Sequence, residues 1–144
     1  MTTAQKWGWP PLWVPHDGGR AAAGYRSSAN DCVVRAVAIA GQLPYREASE
    51  VVRAVTSKEK APRRRRSSPR GGVTPQSTRR VFEVLGWSWV PTPGLRMEAE
   101  ALPPGRLVVR LSHHVAAVVD GVLYDVFDCS RGGTRPIYGY WRRP

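Results

Sequence analysis

The sequence predicts one α+β domain, with helices in the first half and an antiparallel sheet in the second. Three observations carry this. Capped segments with apolar residues at helical spacing follow one another from residue 31 to 86. Beyond them the text turns to strand alternation around Asp120-Gly121, the strongest short-range hairpin signal. And 144 residues with 42% hydrophobic content suit one core rather than two. Helices first and strands after is the α+β order.

The elements follow in turn. Residues 1–28 are rich in Trp, Pro and Gly without a sustained period, and read as an irregular N-terminal wrap anchored by Trp7, Trp9, Leu12 and Trp13. Asn30 or Asp31 caps a helix whose body, Cys32–Ala40, is apolar on nearly every face except at Arg35, so it belongs in the middle of the domain. Gly41 ends it. Pro44 opens a second helix, PYREASEVVRAVTS, with Tyr45, Ala48, Val51, Val52 and Val55 at helical spacing. Thr74 caps and Pro75 opens a third, closed by Gly86. Strand-like segments follow at WSWV, at GRLVVRLSHHVAAVVDGVLYDVFD as two strands about Asp120-Gly121, and at PIYGYW.

The bulk numbers exclude several classes. No apolar stretch approaches the roughly 18–20 residues of a membrane span. The first residues lack the continuous apolar run of a secretory signal. Two cysteines are too few for a disulfide framework and lack zinc-site spacing, so Cys32 and Cys129 are expected as free thiols in the cytoplasm.

The net charge of +11 is uneven: residues 57–80 hold nine Lys/Arg and one Glu, leaving +3 for the other 120. Within this segment residues 57–72 read as a basic, exposed, flexible loop. Its Arg63, Arg64, Arg65, Arg66 and Arg70 could release counterions from phosphates, giving nucleic-acid affinity without sequence preference, or attract an acidic partner. No motif for specific base readout accompanies them.

Cys32 stands where a polar turn becomes an apolar helix. A cysteine in an apolar helix is ordinarily core filler. At the first turn, however, unpaired N–H groups and the helix dipole stabilise an anion and lower a thiol's pKa. A base and an orienting carboxylate complete an activated nucleophile. The chain supplies His113 and His114 before the hairpin turn and Asp125 and Asp128 after it. Adjacent strand residues point to opposite faces, so only one histidine can serve. A two-residue turn at Asp120-Gly121 places residues whose numbers sum to 241 opposite each other. His113 then faces Asp128 and His114 faces Phe127; one bulge would bring Asp128 opposite His114. Without it, His113–Asp128 or the diagonal His114–Asp125 remain.

Two local texts resemble known families. HVAAVVDGVLYDVFDCS (114–130) is similar to the histidine region of papain-like thiol enzymes, and DCVVRA (31–36) resembles the N-C-x-x-R-A of the ovarian-tumour class of deubiquitinases, which share that fold. DGGR (17–20), DCVVRAVAIA (31–40), LSHHVAAVVDGVLYD (111–125), SRGGTR (130–135) and YGYW (138–141) also resemble the words of a family of small bacterial and phage proteins. The resemblance implies a papain-like fold, a central helix headed by Cys32 as nucleophile, His114 as base and Asp128 as its orienting partner. Papain-like enzymes commonly place an oxyanion-donating Gln six residues before the cysteine; here that position is Arg26, leaving Asn30, Ser27 or Ser28 beside the Cys32 N–H.

The function expected is a cysteine hydrolase acting on a protein or peptide through an acyl-enzyme, in the cytoplasm of a bacterial or phage-infected cell. An amine in place of water would make it a transferase. Neither metal nor organic cofactor is called for. Two other classes stand beside it: a basic nucleic-acid-associated protein without catalysis, and a phage-type adaptor or inhibitor that binds a host protein.

Overall fold

The computed structural model describes residues 11–25, 30–60, 62, 66–98 and 102–144. Within them the chain is α+β: three helices, α1 (Cys32–Gly41), α2 (Tyr45–Thr56) and α3 (Pro75–Leu85), and six strands in one sheet. The strands are β1 (Leu12–Pro15), β2 (Ser88–Pro91), β3 (Arg106–Leu111), β4 (His114–Val119), β5 (Val122–Asp125) and β6 (Gly139–Arg142), in spatial order β1-β5-β4-β3-β6-β2.

The helices form where capping chemistry allows. Thr74 Oγ1 accepts from the Ser77 N–H at 3.2 Å, Pro75 opens α3, and Gly86 closes it in the left-handed conformation at φ 76°. For α1 the left-handed residue is Gln42 at φ 55°, one position beyond the expected Gly41. Val33, Val34, Ala36, Val37, Ala38 and Ala40 of α1 are all buried, the environment its all-round apolar text requires. Each fully buried valine there contributes about 1.5–3 kcal/mol.

The sheet is buried on both faces, which explains the nearly continuous apolar text of β3 and β4. One face packs Val108, Val115 and Ala117 against the three helices, with Trp141 stacked on Phe82 at a centroid separation of 4.4 Å. The other packs Leu107, Val109, Ala116, Val118 and Leu123 with Met97, Cys129 and Ile137. Gly139 is required beside Trp141, because a Cβ there would come within 2.5 Å of the Trp89 ring.

Four expectations are corrected. The sheet is mixed, since β1 pairs with β5 in parallel. Residues 12–15, assigned to an irregular wrap, form that edge strand, held by the Trp13 Nε1–H donating to the Asp125 carbonyl at 3.0 Å; Leu12 is exposed, and Trp7 and Trp9 lie outside the described residues. The segment before Asp120-Gly121 is two strands, joined by the tight turn Ser112-His113, where His113 takes φ 56°. Finally, residues 66–72 are packed rather than loose. The Ser67 N–H donates to Glu59 at 2.8 Å, the Thr74 N–H to Ser67 Oγ at 2.8 Å, and Gly71 bridges to Asn30. The far end of the basic segment is thereby held beside the start of α1.

Candidate active site

The β4–β5 register is Val119↔Val122, Val118↔Leu123 and Ala117↔Tyr124, the unbulged two-residue-turn pairing. His114 therefore stands opposite Phe127, whose ring centroid is 5.3 Å away, and the diagonal carboxylate reaches it: His114 Nε2 and Asp125 Oδ2 are 2.6 Å apart. Asp128, expected as the orienting residue, is not in this pair. It accepts from the Ser130 N–H at 3.0 Å, the Ser130 hydroxyl at 2.5 Å and the Gly132 N–H at 3.3 Å, closing the loop after β5. His113, the alternative base, is exposed in the β3–β4 turn.

Asp125 is buried and held from every side. Its Oδ1 accepts from the Val126 N–H at 2.7 Å and from Arg35 Nη2 at 3.3 Å, and its carbonyl takes Trp13 Nε1–H and, at 3.1 Å, the His16 N–H. Burial pushes its carboxyl up, but the bond and charge of His114, the Val126 N–H and the Arg35 charge together hold it below the usual carboxylate range.

His114 lines the same cleft as Cys32, and each shifts the titration of the other. Burial alone would lower its pKa; the bonds to Asp125, Cys129 and Cys32 outweigh burial and push it up to about 11. Burial raises the Cys32 thiol, but the bond and charge of His114, the Val115 N–H and the Arg35 charge bring it below its ordinary value. Both shifts favour a resting thiolate–imidazolium pair. The second thiol, Cys129, contacts His114 from the opposite sheet layer and is pushed up, chiefly by burial.

Behind this pair lies a charge network centred on Asp31 and Arg35. Asp31, fully buried, makes no capping hydrogen bond at α1. Its carboxylate instead takes the Arg35 guanidinium, Arg20 Nη1 at 3.1 Å and the Tyr45 hydroxyl at 2.7 Å. Arg35 thus bridges Asp31 and Asp125 from one helical turn beyond Cys32. The DGGR segment delivers Arg20: Asp17 accepts from the Gly19 and Ala21 N–H groups at 2.8 and 2.9 Å, and Gly18, at φ 72°, lets the turn approach α1. A Cβ on Gly18 would lie 2.9 Å from the Arg35 Cα. The acidic–basic i, i+4 spacing of Asp31 and Arg35 was the available signal.

Cys32, His114, His113, Asn30, Gly72 and Tyr138 help line a cleft of about 430 Å³. The Asp31 side chain does not cap α1, and the first N–H groups of that helix lie beside Cys32. Asn30 is exposed and lines the same cleft as Cys32; Arg26, Ser27 and Ser28 lie outside the described residues. A larger groove of about 820 Å³ lies around the far end of α1 and contains neither thiol.

His114, Asp125 and Cys129 offer donor atoms within 4.8 Å of one another, the geometry of a small metal site. The Arg35 guanidinium on Asp125 opposes a cation there, and the His114–Asp125 bond would have to be broken to admit one. Of the basic-loop candidates, Arg63, Arg64 and Arg65 lie outside the described residues, and Arg66 is exposed. Arg70 is half-buried, 4.5 Å from the Tyr25 ring centroid and 3.4 Å from the Tyr45 hydroxyl. No helix among the described residues is long and apolar enough to cross a membrane. Comparison with family models, curated proteins and solved structures returned no match.

Proposed function

We propose that this protein is a cysteine-dependent hydrolase, a peptidase or isopeptidase of papain-like type, acting through Cys32, His114 and Asp125. One observation carries the reading: a thiol at the first turn of a buried helix shares an open cleft with a histidine whose Nε2 lies 2.6 Å from a buried carboxylate. His114 holds the proton of Cys32, so the thiolate attacks the substrate carbonyl. The oxyanion is met by the first N–H groups of α1 and the Asn30 amide. The His114 imidazolium then gives its proton to the leaving amine, and Asp125 holds the ring and its charge. Water, deprotonated by the now neutral His114, releases the acyl group. An amine in place of water would give a transferase on the same residues. The chain's motif words fit the small bacterial and phage family they resemble, and a free thiol nucleophile suits a reducing cytoplasm.

The test is a proteome-derived peptide library incubated with the protein, new termini being counted by mass spectrometry. Cleavage that disappears in Cys32→Ala and in His114→Ala supports the reading. Cleavage in neither wild type nor variants, with Cys32 also inert to peptidyl electrophiles, overturns it.

A further inference from the structure

Arg110 lies on β3 opposite Val115, the residue that follows His114 on β4. Antiparallel partners have Cα atoms roughly 4.5–5.5 Å apart, so Arg110 is one strand away from the residue beside His114. It shares the helix-side face of β3 with Val108 and lines the Cys32 cleft. The other arginines near this end of the sheet are committed. Arg35 and Arg20 bond Asp31, and Arg135 bonds the carbonyls of Cys129 and Ser112 at 3.4 and 2.6 Å. Arg110 has no carboxylate within ion-pair distance among the described residues. Among the described residues its guanidinium meets the face of Tyr138, 5.9 Å from the ring centroid, and Tyr138 is 57% exposed. Among the described residues no Asp or Glu lines the cleft, whereas Arg110 and His114 both do. A guanidinium over an aromatic ring, facing open space, is preorganised for a carboxylate.

We propose that Arg110, walled by Tyr138, is a specificity-determining residue that selects peptides carrying an acidic side chain next to the scissile carbonyl. This rests on the proposed Cys32 chemistry and adds the substrate class. The carboxylate would take the guanidinium fork while the acyl carbon sits over the Cys32 sulfur.

The experiment compares two electrophiles of nearly equal size, iodoacetate and iodoacetamide, as alkylators of Cys32 in wild type, Arg110→Gln and, as a control of equal net charge, Arg142→Gln on β6. Dipeptidyl chloromethyl ketones bearing Glu or Gln provide a substrate-like arm. In Arg110→Gln the iodoacetate and Glu-probe rates should fall about fivefold, while the iodoacetamide and Gln-probe rates stay within about twofold and Arg142→Gln changes neither. Raising the salt should erase the wild-type preference. Equal loss in both arginine variants, or an unchanged iodoacetate rate in Arg110→Gln, overturns the assignment while leaving Cys32 and His114 in place. Cys32 inert to all four reagents in wild type would overturn the catalytic reading and this one with it.

Discussion

Replacing Asp125 by Asn separates the two carboxylates that the sequence offered for His114. With Cys32 as thiolate and His114 protonated, the buried chain Arg20, Asp31, Arg35, Asp125, His114, Cys32 holds three cations and three anions. The substituted amide keeps the shape but leaves one positive charge uncompensated and removes the 2.6 Å charged bond to His114. Breaking a buried pair from one side costs about 3–5 kcal/mol, a large share of the roughly 5–15 kcal/mol that holds a typical domain. Asp128→Asn alters only a half-buried loop closure, for which about 1–2 kcal/mol is expected. Urea denaturation gives the stabilities, and iodoacetamide alkylation at neutral pH gives the thiolate fraction. Asp125→Asn should lose both stability and thiolate, and Asp128→Asn should keep the thiolate. The reverse pattern, or an Asp125→Asn within about 1 kcal/mol of wild type with unchanged alkylation, would refute the assignment.

The same pair shapes stability against pH. His114, raised from 6.5 to about 11, stabilises the fold fully below pH 6.5 and loses that contribution as pH rises through 11; Cys32, lowered from 9.0, contributes with the opposite sign and fully only above 9. At a pH above both 6.5 and the lowered Cys32 value, and below 9, the native pair and the unfolded chain each bind one proton, so the pair leaves stability flat. Above 9 it falls, by up to about 1.4 kcal/mol per pH unit. In Cys32→Ser the fall should begin near 6.5 and continue without a plateau, and urea midpoints across roughly pH 6 to 10 will show whether only the wild-type profile flattens before 9. Gly18→Ala, at φ 72° and with its Cβ against the Arg35 backbone, should cost about 1–3 kcal/mol in thermal or chemical denaturation; a neutral substitution would mean that the DGGR turn does not rest on α1.

The helices were legible because their punctuation is local: Thr74, Pro75 and Gly86 bound α3 by chemistry within one turn. The Asp120-Gly121 turn likewise fixed the β4–β5 register, and that register already contained the His114–Asp125 diagonal. Choosing Asp128 gave a family pattern more weight than strand arithmetic. The turn at Ser112-His113 lacks the glycine or asparagine that usually marks one, so β3 and β4 read as a single strand. LWVP has no period of its own; β1 exists because β5, far along the chain, leaves it an edge to pair with. Asp31 stands at a capping position, and only the approach of Arg20 and Tyr45 in three dimensions draws its carboxylate inward.

The rate of Cys32 alkylation by iodoacetamide, followed from about pH 4 to 10 with Cys129 kept as the buried internal comparison, tests the central claim most directly. A thiolate held by His114 predicts alkylation well below the ordinary thiol range, shifted upward toward about 8.5 in His114→Ala. A wild-type profile that titrates at that ordinary value, unchanged by His114→Ala, would contradict it.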